Sequence, residues 1–420
     1  MYPNKPEETM STPNRLLLLA ALGASAALAA PAAAGAAERL TVVATHDLDA
    51  ARPSETIAIP WPEVNRALPG ALIQHIVVKD AAGHVLPHQV TNVAPQAKDP
   101  KNVGAAYGEL LFQHSFGAGE KSASFTVEKT ETLEPVFPVK AYARYVQERL
   151  DDFAWENDRI AHRIYGPALA APAPPGSGKE VLQTSGIDIW FKRVDYPIVD
   201  RWYNKGHDHY HKDEGEGLDM YNVSQTRGCG GTGVWAGGKL YTSGNWSAWK
   251  VLANGPVRAV FELTYDSWDA GGVKVSEVKR FTVDAGHQLD QVDSTFSFTG
   301  AERLTVAVGL NKTPANNKHD PAIAVTRAKR DGALLQWVEL KAAPQNGAYG
   351  TAVVVPGATA LTEDASNELA LASVEPGKPL RYYIGAAWNK AGQIGSQAAW
   401  QAYVSAEATR VAHPLTVTLR

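Results

Sequence analysis

Apolar and polar residues alternate in short runs along most of this chain, and turn residues separate the runs. Leu40-Thr41-Val42-Val43, Ile57-Ala58-Ile59, Leu72 to Val78 and Ala123-Ser124-Phe125-Thr126-Val127 are brief and β-rich. Asp80-Ala81-Ala82-Gly83 and Gly117-Ala118-Gly119 punctuate them. Side chains two apart on a strand share a face, so this pattern predicts half-buried strands. Short strands at such spacing predict an N-terminal β-sandwich over residues 38–135, with Glu134 to Pro138 as its exit. Beyond Ala141 the runs lengthen, as in Ala259 to Tyr265, Val273 to Val283, Gln288 to Phe296, Leu304 to Leu310 and Leu380 to Trp388. They predict a second, larger β-sandwich over residues 141–420. No helical period of ten residues stands out after the first forty positions, so the expected fold class is all-β.

Those forty positions follow another rule. Arg15 precedes the apolar run Leu16 to Ala30, and small residues surround Pro31. A positive flank, a short apolar stretch and Ala34-Gly35-Ala36 read as a signal peptide over residues 1–36. The run is short for a bilayer span. The expected mature chain is periplasmic or secreted, with no membrane attachment once the signal is removed. Cys229 is the single cysteine, so no internal disulfide can form and the exported chain must rest on its core.

Composition narrows the partners. The 420 residues are 45% hydrophobic and 20% charged, enough apolar material for large cores. The net charge of -4, with no basic run, excludes nucleic acid. No feature implies an obligate protein partner. Eleven tryptophans are many, and indole faces pack against the C–H faces of sugars as well as in cores. Trp235, Trp249 and Trp268 lie in strand-like contexts and are expected in the core. Trp155, Trp202 and Trp246 sit among charges and loop residues, where core and ligand roles are balanced.

The densest polar stretch runs from Trp202 to Tyr221 and holds His207, His209 and His211 at alternating positions. In an extended strand these three imidazoles would converge on one face. Three readings stay open: ligands for a divalent cation, zinc or calcium, with Glu214 or Glu216 beside them; catalytic or substrate-contacting His207, His209, His211 and Tyr210; and a solvated loop. Arg201 and Tyr203 precede the cluster and are candidates for binding a substrate carboxylate. Trp155 to Pro167 places Trp155 and Arg159 at the head of a strand, where the ionic group would bind an acidic sugar or brace a neighbour. Arg227 leads into Gly228-Cys229-Gly230-Gly231-Thr232-Gly233. That run matches a dinucleotide fingerprint only literally, because no helix pattern follows. Trp246 completes the candidate binding residues.

Trp155 to Pro167, Ser185 to Trp190, Tyr196 to Tyr203 and Gly206 to Thr226 together resemble an uncharacterised family of exported bacterial proteins. Asp213-Glu214-Gly215-Glu216-Gly217-Leu218-Asp219-Met220-Tyr221, followed by Gly228 to Trp235, is the most specific part. Members of that family, a domain of unknown function, accompany genes for uronate polysaccharides such as pectin. The resemblance implies a large sandwich like that of galactose mutarotase-like proteins, and an acidic polysaccharide or oligosaccharide as ligand. It fixes no reaction.

The expected activity is that of a polysaccharide lyase cleaving a uronate glycan by β-elimination. This needs a clamp for the C6 carboxylate, a base for the C5 proton and an acid for the leaving oxygen. His209 or His211 is the expected base, Tyr210 the acid and Arg201 or Arg227 the clamp. A glycoside hydrolase using Glu214 with Glu216 or Asp219, a sugar epimerase and a non-catalytic glycan-binding protein are the alternatives.

Overall fold

A computed structural model describes residues 39–91, 108–133, 135–313, 323–330, 332–341 and 343–420. The expected signal peptide, residues 1–36, lies outside the described residues. The chain is all-β, and its described residues build five antiparallel sheets.

Two small sheets form the first layer. One takes the order Thr416–Leu419, Arg39–Thr45, Ser122–Lys129, Ile76–Lys79, and the other Arg52–Pro60, Glu109–Phe116, His88–Thr91. Arg39–Thr45 buries every second residue, so Leu40, Val42 and Ala44 meet Ile57, Ile59 and Phe112 in one core. The last strand of the chain pairs with the first, Val42 opposite Leu419. The last described strand therefore belongs to this first layer.

The larger part is a sandwich. An eight-stranded sheet runs in the order Ala248–Ala253, Arg258–Asp269, Lys274–Asp284, Leu289–Phe298, Pro379–Trp388, Ala348–Val354, Ala333–Leu340, Ile323–Arg330. Its inner face packs on two five-stranded sheets. One is centred on Cys229–Ala236 and Leu304–Asn311, the other on Ala161–Ile164 and Asp152–Glu156. Gly230 belongs to this packing, since a Cβ there would lie 2.2 Å from the Ile384 side chain. Cys229 is buried in the same place, and burial pushes its thiol up to about 12, which leaves it an inert packing group.

One element departs from the sequence expectation. Gln397–Ala412 is a helix of 16 residues, capped by Ser396 Oγ accepting from the Ala399 amide at 3.2 Å. It buries Trp400 and Val404 against Leu335, Ala352 and Val354 on the outer face of the eight-stranded sheet. Its alanines make the apolar stripe faint in the sequence. Glu407 and Arg410 are buried with it, and Arg410 shares Glu55 (2.5 Å) with Arg52 (2.8 Å), tying the helix to the first layer.

Among the tryptophans, the open choice at three positions resolves to core and one core expectation fails. Trp155, Trp202 and Trp246 are core residues, whereas Trp249 is 44% exposed and stacks on Tyr145 at 5.3 Å.

Candidate functional site

The sheet of Asp152–Glu156, Ala161–Ile164 and Ile187–Lys192 is buried on both faces. Alternation sends Phe153, Trp155, Ile164 and Ile189 into the sandwich core. The other face carries Asp152, Glu156, Arg163, Asp188, Trp190 and Lys192. A lid covers it, formed by the helix Val199–Lys205, the turns that follow and the short strand Gly217–Leu218. The lid is the histidine segment.

Buried charges must be paired, and here they are. Lys192 Nζ donates to Glu156 at 2.7 Å, while Glu156 accepts from the Ile198 and Val199 amides at 2.8 Å. Arg163 stands opposite Asp188 in strand register and is the centre of a larger cluster. It donates to Asp188 at 2.7 Å, to Asp219 at 3.0 Å and to the Tyr210 hydroxyl at 3.2 Å, with Asp152 3.6 Å away. Tyr165 donates to Asp188, Trp190 to Asp219 and Tyr203 to Asp152. Three carboxylates thus face one guanidinium. Burial pushes Asp152 up to about 6 against the pull of Arg163 and Arg149, and burial with Asp188 nearby holds Asp219 well above the usual carboxylate range. Burial thus works against ionisation of Asp152 and Asp219, and Arg163 opposes that effect.

The histidine segment is not a strand. Residues 206–216 are turns and bends, so the three imidazoles do not share one face. His209 Nδ1 turns to Glu214 at 2.8 Å. His207 and His211 stay together, ring centres 4.9 Å apart, both packed on Tyr210. Among the described residues no three His, Cys, Asp or Glu side chains are grouped to hold a metal ion. The three-imidazole zinc reading rested on strand geometry that this segment does not adopt.

Other candidates are also relocated. Tyr210 is 1% exposed and its ring stacks on Trp190 at 4.7 Å, so the expected acid is enclosed and does not face an open cleft. Tyr203 is buried beside Asp152. Arg201 binds Glu216 (2.8 Å), which also accepts from Tyr196 and Trp202, away from the cluster. Arg227 is buried between the sheets, donating to Ser185 at 2.8 Å. Trp155 donates to Asp290 in the core, Trp246 is buried there, and Arg159 sits in a bend before Ala161–Ile164.

What remains at the open edge is a compact set. His211 Nδ1 lies 3.3 Å from the Asp219 carbonyl, which can only accept. The ring proton therefore sits on Nδ1 and leaves the Nε2 lone pair free. Burial, aided by Arg163 and His207, holds this imidazole below its usual range, so it is neutral near pH 7, while 41% of the side chain is exposed. Arg149, absent from the sequence candidates, donates Nε to Tyr210 at 3.4 Å. It is aimed by an unusual turn. Leu150 (φ 52) and Asp151 (φ 64) are both left-handed, at about 1–2 kcal/mol each for non-glycine residues. Gly166 makes room, since a Cβ there would lie 1.6 Å from the Asp151 carbonyl oxygen. Strain of this kind concentrates at functional sites. No residue pattern announces two successive left-handed residues. Arg163 and Asp188 did leave a signal, as lone charges inside apolar strand runs.

A second buried pair lies on the core side of the same sheet. His162 Nδ1 is 3.4 Å from Asp290 Oδ2, without the direction of a hydrogen bond. Burial pulls His162 down to about 3 and pushes Asp290 up to about 7. The two act oppositely on stability. Asp290 binds its proton more tightly when folded, so its contribution is lost as pH rises from about 4 to about 7. His162 is held neutral when folded, so its contribution is lost as pH falls below about 6.5. Asp290→Asn should therefore leave a chain whose thermal midpoint falls on acidification below pH about 6.5. His162→Gln should leave one whose midpoint falls as pH rises toward about 7. Parallel melting profiles of both variants would remove this account.

Comparison with known proteins adds the following. Residues 44–417 match the family model described as Domain of unknown function (DUF4861). "Uncharacterized protein P7" of Formosa agariphila is 30% identical over 411 residues, covering 94% of this chain and 98% of that protein. Among solved structures, a protein in the glycosyl hydrolase family 38 from Enterococcus faecalis aligns with TM-score 0.44 and 10% identity over 91% of this chain. An alpha-mannosidase from Enterococcus faecalis V583 aligns with TM-score 0.43 and 8% identity over the same share. The chain spans about half the length of these two structures, 47% and 46%.

Proposed function

We propose, from the premise that this chain belongs to the DUF4861 family of domains of unknown function, that it cleaves a uronate-containing, pectin-like glycan by β-elimination. One observation carries the reading. A neutral, partly exposed imidazole with a free Nε2 packs on the Tyr210 ring, and a guanidinium set by a strained turn donates to the Tyr210 hydroxyl.

Each requirement of the reaction then has an owner. Arg149 pairs with the C6 carboxylate and so stabilises the charge that develops when C5 loses its proton. His211 Nε2 takes that proton. The C5–H electrons form the C4=C5 double bond, and the C4–O bond breaks with its electron pair on the leaving oxygen. His207, half exposed beside His211, protonates that oxygen. Arg163 and Tyr210 are positioning groups beneath.

Hydrolysis is less well supported. Glu216 is held by Arg201, Tyr196 and Trp202, Asp219 is buried, and Glu214 holds His209, so no two of these carboxylates face each other across an open cleft.

The test is incubation of the full chain with a panel of pectic and other uronate polysaccharides. The ultraviolet absorbance of an unsaturated uronate should rise together with new chain ends. New ends without that absorbance would mean hydrolysis, and binding without either would mean a glycan-binding protein. Both outcomes overturn the proposal.

A further inference from the structure

We infer that Glu180 is a built-in occupant of the carboxylate seat on Arg149, which a uronate must displace to bind. The inference rests on the reading of the site given above and deepens it.

Arg149 uses its two sides differently. Nε faces inward to the Tyr210 hydroxyl at 3.4 Å, and Nη2 faces outward to Glu180 Oε2 at 3.2 Å. The guanidinium is 16% exposed, whereas the Glu180 side chain is 57% exposed. Glu180 is the one carboxylate paired with Arg149 among the described residues.

The two partners also differ in how firmly they are held. Arg149 ends a short helical turn, Gln147–Arg149, locked by the left-handed Leu150 and Asp151 and by the close approach of Asp151 to Gly166. Glu180 lies on the irregular stretch after Ala170, rich in Pro and Gly, where Gly176 (φ +78) and Gly178 (φ +66) turn the chain. That stretch is pinned by Lys179 Nζ to the Ala171 carbonyl (2.8 Å) and by Leu182 to Leu169 (3.2 Å), on either side of Glu180 and not through its carboxylate. A fixed cation with an exposed, loosely held carboxylate on its outer side is a receptor with an exchangeable counter-ion. An exposed ion pair of this kind is worth little, so an incoming carboxylate with further contacts can replace it. A sugar carrying no carboxylate has nothing to exchange. The seat therefore selects uronates over neutral sugars.

The experiment is calorimetric titration of the full chain with D-galacturonate, which has no glycoside at C4 to eliminate, and with D-galactose as the neutral control. Glu180→Gln keeps the shape and removes the charge. It should tighten galacturonate about two- to five-fold, the span of an exposed ion pair, and leave galactose unchanged. Arg149→Gln should weaken galacturonate at least about tenfold, as expected when a charge partner is lost. Circular dichroism and the thermal midpoint show whether each variant is folded, and Glu180→Gln, on an exposed loop, carries the test if Arg149→Gln does not fold. Unchanged or weaker galacturonate binding in Glu180→Gln overturns the inference, as does equal tightening toward galactose or absence of galacturonate binding throughout. The elimination assay separates the two claims. Elimination with unaltered affinity in Glu180→Gln sinks the occupant and keeps the lyase. The predicted affinity changes without any elimination do the reverse.

Discussion

His211→Ala should lower kcat by about 10² to 10⁴, the usual worth of a general base, with little change in thermal midpoint. The side chain is partly exposed and packs on Tyr210 from one side, so its loss opens no internal cavity. His209→Ala is the matched control, because His209 is turned to Glu214 and should lose far less turnover. The acid limb of the wild-type pH profile should lie below the ordinary histidine range, since burial holds His211 below it. Steady-state kinetics on whichever uronate polysaccharide yields the unsaturated product checks all three. Full turnover in His211→Ala would take this imidazole out of the chemistry.

Arg163→Met should be the most destabilising change at the site. It leaves Asp152, Asp188 and Asp219 buried without their shared counter-ion, and breaking a buried pair costs about 3–5 kcal/mol. The loss should shrink as pH falls. Without Arg163 the folded chain binds protons on these acids more tightly than the unfolded chain does, and lowering pH favours the state that binds more protons. Arg163→Lys should not restore stability, because one ammonium cannot reproduce a fork donating to Asp188, Asp219 and Tyr210. Denaturant unfolding at two pH values measures both effects. A variant within about 1 kcal/mol of wild type would show that the three acids need no common partner.

Much of the fold was legible because strand physics is local. A period of two in Arg39–Thr45 and Lys274–Asp284 marks the buried face directly. The helix Gln397–Ala412 escaped notice because alanine-rich positions contrast weakly with their neighbours. Of the candidate site, the sequence pointed to the segment from Trp202 to Tyr221, which contains His211. It misjudged geometry. Alternation suggested three convergent imidazoles, but the chain turns at His209, whose amide donates to the Gly206 carbonyl at 3.1 Å, and His209 leaves the other two rings.

By itself, then, the sequence determined the all-β class, the absence of disulfide support and the polar segment that forms the lid, because each depends on residue type and short-range period. The tertiary structure alone decided which charges meet. Arg163 draws together Asp152, Asp188 and Asp219 from separate strands and from the lid, at sequence separations that no local pattern encodes. Burial then sets their protonation, buries Tyr210 and leaves His211 and Arg149 at the edge. Charge pairing and desolvation depend on distance through space, and only the folded chain fixes that distance.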